Sequence, residues 1–361
     1  MMKRNLALFL VFTMFAIPLL SACGVTSSPA QTTTAPPATA ATTANVEQAT
    51  TQDQVIPEIE PLKLQFSHQL AATHTIHTIG LKMNELMMEK SGGKMSVEIF
   101  EAATLGTERE NAEALSAGTL DLASVAISFY ASYVPEVAVL TLPYLFDSYD
   151  HCYNAYNGAM GEKIQDMILD VSDVKILNFV VMPFRQIFTR DKKIQSVADV
   201  AGLKIRVPET PIYQSTFKML GAAPTPVAWG EVYTAMDTGV VAGLENTPES
   251  VLSASLNEVA NYMNMSNHIT EPTTISMSNK VFNSLSPIQQ QILIESVKEA
   301  SEFGYQLFME NDTKAREALL DSLEVIEVDM NSMRSAVVYE QFDVMALEGA
   351  KEIKDLIDKA R

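Results

Sequence analysis

From residue 62 onward, apolar and polar positions alternate between two rhythms. Leu62-Lys63-Leu64-Gln65-Phe66 has a period of two, the pattern of a half-buried strand. Ile76, Ile79, Met83 and Leu86 then recur at three- and four-residue spacing and predict one helix face, ended by Ser91-Gly92-Gly93. Met95, Val97 and Ile99 alternate again. Thr107-Glu108-Arg109-Glu110 has the spacing of a capping box and opens a helix that Gly118 closes. A buried strand is predicted over 120–127. Strand, helix, strand, helix, strand is the order of a parallel α/β sheet.

The pattern continues with a helix over about 149–169 and a strand over 175–182, where Pro183 marks a crossover. A second α/β unit follows. It comprises strands at Gln186–Thr189 and Lys204–Val207, a helix carrying Tyr213, Phe217 and Leu220 on one face, a helix over 231–237 and a strand over 240–244. Residues 273–278 predict a return strand toward the first unit. Ser286-Pro287 is a strong helix start, and the helical pattern then runs to about residue 323, roughly 50 Å at 1.5 Å per residue. A short strand over 324–329 and a helical stretch from Met333 complete the chain. The fold class expected is α/β and bilobal, with crossing hinge strands and one long bridging helix. One lobe is residues 61–182 with about 272–311; the other is 183–271 with about 312–361. Such an arrangement suits capture of a ligand by closure.

The chain before residue 61 carries no such rhythm. Lys3 and Arg4 precede an apolar run from Leu6 to Leu20, a signal-peptide layout too short to span a bilayer comfortably. Leu20-Ser21-Ala22-Cys23 resembles a bacterial lipoprotein box, which implies removal of residues 1–22 and lipid on Cys23. Residues 23–60 are rich in Ala and Thr and read as a disordered tether. The formal charge is −19, and loss of Lys3 and Arg4 takes it to −21. That makes nucleic acid and anionic membrane surfaces poor partners on charge grounds, and no nucleic-acid partner is expected. Three of the eight arginines (Arg185, Arg190 and Arg206) lie close together in an otherwise acidic chain. With Cys23 lipidated, Cys152 has no partner and reads as a core residue. Phosphate loop, dinucleotide fingerprint and nucleophile elbow are all missing, so an enzyme is not expected, nor is a cofactor. His68, His74 and His77 leave a metal-binding carrier as an alternative reading.

Arg206 stands in Lys204-Ile205-Arg206-Val207-Pro208, at a predicted strand end, where α/β folds form ligand crevices. Its guanidinium matches a carboxylate with two hydrogen bonds. From the residues alone it either does that or makes an internal ion pair.

Several stretches together resemble a family. Thr104-Leu105-Gly106 with Leu120-Asp121, Pro135-Glu136 with Leu142-Pro143-Tyr144-Leu145-Phe146, and Phe184-Arg185-Gln186 occur in the order found in solute-binding proteins of tripartite ATP-independent periplasmic (TRAP) transporters. The resemblance implies that Arg206 binds the carboxylate of an organic acid, that Arg185 is a second cation of the site, that Asn246 hydrogen-bonds the same carboxylate, and that Trp229 walls the ligand. Phe129, Tyr130 and Tyr213 are candidates for shaping the pocket, and His74 for a histidine that touches ligand. The implied partners are a small carboxylate, the membrane subunits of the transporter and the membrane itself through lipid. The protein is expected to be an extracytoplasmic monomer that delivers its acid to the permease; a sensor for the same acid is the alternative. A sugar acid or hydroxy-monocarboxylate is expected ahead of a C4-dicarboxylate. Two departures stand out: Ala242 where an Asp usually precedes the glycine, and Ala126-Ile127-Ser128-Phe129-Tyr130, which lacks the charged residues of the sialic-acid branch.

Overall fold

The computed structural model describes residues 59–361. The apolar leader, Cys23 and the Ala/Thr-rich segment lie outside the described residues. Strands β1 (Leu62–Ser67), β2 (Met95–Phe100), β3 (Leu122–Ala126), β4 (Val174–Val180), β5 (Gln186–Thr189), β6 (Lys204–Val207), β7 (Ala223–Pro226), β8 (Gly243–Asn246), β9 (Tyr262–Met265), β10 (Thr273–Ser278) and β11 (Glu324–Glu327) form two sheets. Their orders are β2-β1-β3-β10-β4 and β11-β9-β5-β8-β6-β7.

The first three strands pair in parallel, as the alternating pattern predicts. The sheet is nevertheless mixed, because β10 runs antiparallel to both β3 and β4. In the second sheet β5 is antiparallel to β8 and β9, while β6 is parallel to β8 and β7. The chain passes from the first sheet to the second between β4 and β5 and returns between β9 and β10. The two passages are bonded to each other: Arg185 N–H donates to Ile269 O at 2.8 Å, and Thr270 Oγ1 donates to Met182 O at 2.7 Å.

Helix Pro287–Leu319 spans both sheets. Its first half buries Leu293 and Val297 with Leu64 and Phe66, while Leu319 joins Phe188 and Leu244 in another cluster. Ser286 caps it with a reciprocal bond to Gln289, and Pro287 fills the first turn. Gly304 allows helix Thr75–Lys90 to approach, since a Cβ there would lie 2.2 Å from Ile79 Cδ1. The C-terminal helix Glu348–Lys359 packs onto the 149–172 region. His151 Nε2 lies 2.9 Å from Ile357 O, and Lys163 pairs with Glu352 at 2.9 Å.

Four local expectations change. The helix expected over 149–169 is two, Tyr149–Tyr156 and Ala159–Ser172. At Gly161 a Cβ would sit 1.8 Å from Tyr156 O, so the chain turns where only glycine fits. Strand β8 begins three residues later than the pattern indicates, which puts Glu245 and Asn246 inside it. Strand β7, Ala-Pro-Thr-Pro, escapes alternation but sits at the sheet edge, where proline costs no ladder bond. β9 is four residues long and its single-strand pattern is indistinct.

Candidate ligand-binding site

The topology brings one edge of each sheet to a common cleft. In the second sheet, β6 and β8 end where antiparallel β5 begins, with Gln186 opposite Asn246 and Arg206 opposite Leu244. In the first, β1 and β3 end where β10 begins, with Ala126 opposite Thr273. A cavity of about 60 Å3 lies between these edges, and Arg185, Arg206, Asn246, Trp229 and Phe129 all line it.

Arg206 is 4 % exposed. Its Nε donates to Val227 O at 2.9 Å, and its Cζ sits 5.5 Å from the Trp229 ring centroid. Among the described residues it enters no ion pair, and its two terminal nitrogens have no protein acceptor. Burial draws its pKa down to about 10, with Glu245 opposing, so it keeps its charge at neutral pH. An isolated buried charge is costly unless something pairs with it.

Arg185 differs. Its Nε donates to Glu245 Oε2 at 2.5 Å, and Nη2 donates to Oε1 at 2.8 Å and to the Glu245 carbonyl at 3.1 Å. Burial works against its charge, but Glu245 beside it holds its pKa above the ordinary range. Burial likewise penalises the Glu245 carboxylate, yet Arg185 and His268 keep its pKa low. His268 Nε2 lies 3.3 Å from Glu245 Oε2, and Tyr213 lies under the guanidinium at 5.2 Å. The internal ion pair that was one option for Arg206 therefore belongs to Arg185. Asn246 lines the cavity, and its Oδ1 accepts from Thr247 N–H at 2.8 Å, which leaves its amide N–H groups without an acceptor among the described residues and able to donate.

Three of the residues expected at the pocket stand behind it. Tyr130 is fully buried away from the cavity. Tyr213 donates its hydroxyl to Glu271 Oε2 at 2.6 Å and does not line the cleft. His74 caps helix Thr75–Lys90, accepting from Ile76 N–H at 3.2 Å, while its Nε2 meets Ser250 Oγ at 3.1 Å. The histidine that lines the cavity is His68, whose Nε2 lies 3.2 Å from His77 Nδ1. Burial, then His77 and His74, push its pKa to about 3, so it is neutral; among the described residues its Nδ1 has no partner. His68 and His77 thus bond to each other while His74 turns to Ser250, and among the described residues no group of three His, Cys, Asp or Glu could hold a metal.

The pattern also conceals two acids. Glu108, read as a helix-start residue, is buried at the cleft; Oε1 accepts from Ala126 N–H at 2.8 Å and Oε2 from Gln69 at 2.5 Å. Burial raises its pKa to about 7. Glu271 accepts from Ser128 N–H at 3.0 Å as well as from Tyr213, and burial raises its pKa too. Two cations, one of them unpaired, thus face acceptor groups across the cleft.

The family model described as bacterial extracellular solute-binding protein, family 7 (DctP) matches residues 66–344. The chain belongs to this family. The resemblance to TRAP solute-binding proteins and the bilobal α/β fold are borne out. The sugar acid binding protein DctPAm of Advenella mimigardefordensis, solved with galactonate, superimposes with a TM-score of 0.81 at 26 % identity, covering 84 % of this chain and 100 % of that one. The 2,3-diketo-L-gulonate-binding periplasmic protein YiaO of Escherichia coli is 27 % identical, over 76 % of this chain and 84 % of its own length. The C4-dicarboxylate-binding protein DctB of Bacillus subtilis is 28 % identical, over 85 % of this chain and 82 % of its own. The family 7 protein is accordingly an extracytoplasmic solute-binding protein that serves transport, not an enzyme.

Proposed function

We propose that this protein captures a sugar acid in the cleft and delivers it to the membrane subunits of a TRAP transporter. The observation that carries the reading is Arg206, a buried guanidinium open to the cavity with no carboxylate among the described residues to pair with. A ligand carboxylate supplies the missing charge, with Asn246 donating to the same group, Arg185 adding field from behind its pair with Glu245, and Trp229 and Phe129 against the ligand body. The opposite wall favours hydroxyls over a second carboxylate. Glu108 and Glu271 offer hydrogen bonds to a polyol, and Arg185, already paired with Glu245, gives a second carboxylate no free cation. A sugar acid such as galactonate or diketogulonate, ligands of the relatives, therefore fits better than a C4-dicarboxylate.

Closure of the lobes, 61–182 with about 272–311 and 183–271 with about 312–361, desolvates the ion pair; the transporter releases the ligand by favouring the open form. The C-terminal helix reaches back onto the first of these lobes. Cys23 carries the lipid that anchors a monomer to the membrane. A thermal-shift panel of uronic, aldonic, keto and dicarboxylic acids tests the reading. Stabilisation by sugar acids and not by succinate is expected; the reverse order would assign the site to dicarboxylates.

A further inference from the structure

A second cavity of about 540 Å3 lies on the far side of Phe129, which lines both spaces. Its walls are apolar for most of their extent, with Pro135, Ile212, Val344 and Leu347 among them. Three polar features break that surface. The first is the start of helix Pro211–Met219, which has no side-chain cap. Pro211 has no N–H to offer, and the Ile212 and Tyr213 N–H groups meet no acceptor among the described residues. Such a terminus attracts negative charge.

The second is a pair of hydroxyls. Thr210, at the cap position, and Ser128 are each 2 % exposed, both line this cavity, and among the described residues neither Oγ1 nor Oγ has a partner within hydrogen-bond distance. Buried hydroxyls ordinarily find one. The third is Arg109, half-buried, with its Cζ 5.8 Å from the Phe129 centroid. Its Nη2 donates to Glu209 O at 2.6 Å, and among the described residues it forms no ion pair. Glu209 and Asp343 also line the cavity, which disfavours a dianion.

We infer that this cavity is a second ligand site, distinct from the Arg206 cleft, for a small monocarboxylate with an apolar body. The carboxylate sits at the helix start between Thr210, Ser128 and Arg109, and the apolar body fills the space against Ile212 and Leu347. Arg109 and Ser128 come from the side of the first sheet, and Thr210 from the loop after β6 in the second. The site is therefore complete only when the two are together, and its ligand favours closure. By linkage, each ligand then raises the affinity for the other.

Calorimetric titration of the full chain with benzoate tests this. Benzoate is expected to bind wild type and Arg206→Ala with equal affinity. Ser128→Ala and Thr210→Val each lose a charge-assisted bond, and binding should weaken about tenfold or more in each. Thr210 Oγ1 meets no partner among the described residues, so Thr210→Val should melt as wild type does; Ser128 sits beside the Glu271 carboxylate, so melting of Ser128→Ala is measured alongside its affinity. Absence of benzoate binding at millimolar concentrations would overturn the inference. So would loss of binding in Arg206→Ala, which would place the probe in the first cleft, or unchanged affinity in both hydroxyl variants.

Discussion

Replacing Arg206 by alanine separates ligand capture from folding. In the unliganded protein Arg206 is 4 % exposed, and among the described residues the only acceptor of its guanidinium is the Val227 carbonyl. Its desolvation is only partly offset by the field of Glu245, which leaves its pKa drawn down to about 10. Removing it should therefore leave the unliganded protein as stable as wild type, or more so, despite loss of packing against Trp229. Binding should respond in the opposite sense. In the complex the guanidinium and the ligand carboxylate form a buried pair, and deleting one partner of such a pair costs about 3–5 kcal/mol. At about 1.4 kcal/mol per decade, affinity falls by roughly two to four decades. Calorimetry with the best acid from the panel measures the loss, and thermal melting without ligand measures the stability. A loss of affinity below about tenfold in a folded variant would refute the pairing. A large fall in unliganded melting temperature would show instead that Arg206 is a structural residue.

Other expectations follow from the same geometry. Glu245→Gln strands Arg185 without its counter-charge and should destabilise the protein by about 3–5 kcal/mol, read by urea unfolding; a neutral outcome would mean the pair is dispensable. Glu108 is uncharged in the folded protein up to about pH 7 but ionises near 4.5 when unfolded. Its contribution is thus fully present below pH 4.5 and lost as pH rises toward 7, by roughly 3 kcal/mol at about 1.36 kcal/mol per pH unit. Glu108→Gln should flatten that part of the stability–pH curve, and an unchanged slope would exclude Glu108 as its source. Gly304→Ala drives a methyl into Ile79 and should lower the melting temperature, whereas an unchanged melting point would show that the two helices can part without cost.

Much of the fold was legible because it rests on local rhythm. Strands β1, β5, β6 and β10 and the long bridging helix follow directly from period and capping residues such as Ser286-Pro287. What rhythm does not carry is partnership between distant strands. β10 lies between β3 and β4 because of long-range pairing, and nothing in Thr273–Ser278 specifies that it runs antiparallel to both. The same limit governed the site. Arg206, Arg185, Asn246, Trp229 and Phe129 line one cavity because short motifs carry them. Tyr213, Tyr130 and His74 have the right chemistry but are turned into the structure by Glu271, the core and Ser250.

Glu108 was hidden by its own signal. A glutamate in the first turn of a capped helix is ordinary, and only the approach of β3 through Ala126 N–H makes it a buried cleft residue. His68 was hidden for a different reason. It belongs to a cluster of three histidines whose spacing invites a metal, and only the three-dimensional paths of the loop and helix pair it with His77 while turning His74 to Ser250.

The measurement that bears most directly on the central claim is a matched calorimetric pair: the strongest-binding sugar acid from the panel and its neutral sugar counterpart, titrated into wild-type protein. The account predicts that the acid binds and that the neutral sugar binds at least a hundredfold more weakly, since a buried arginine would be left without its partner. A neutral sugar that binds as tightly as its acid would contradict it.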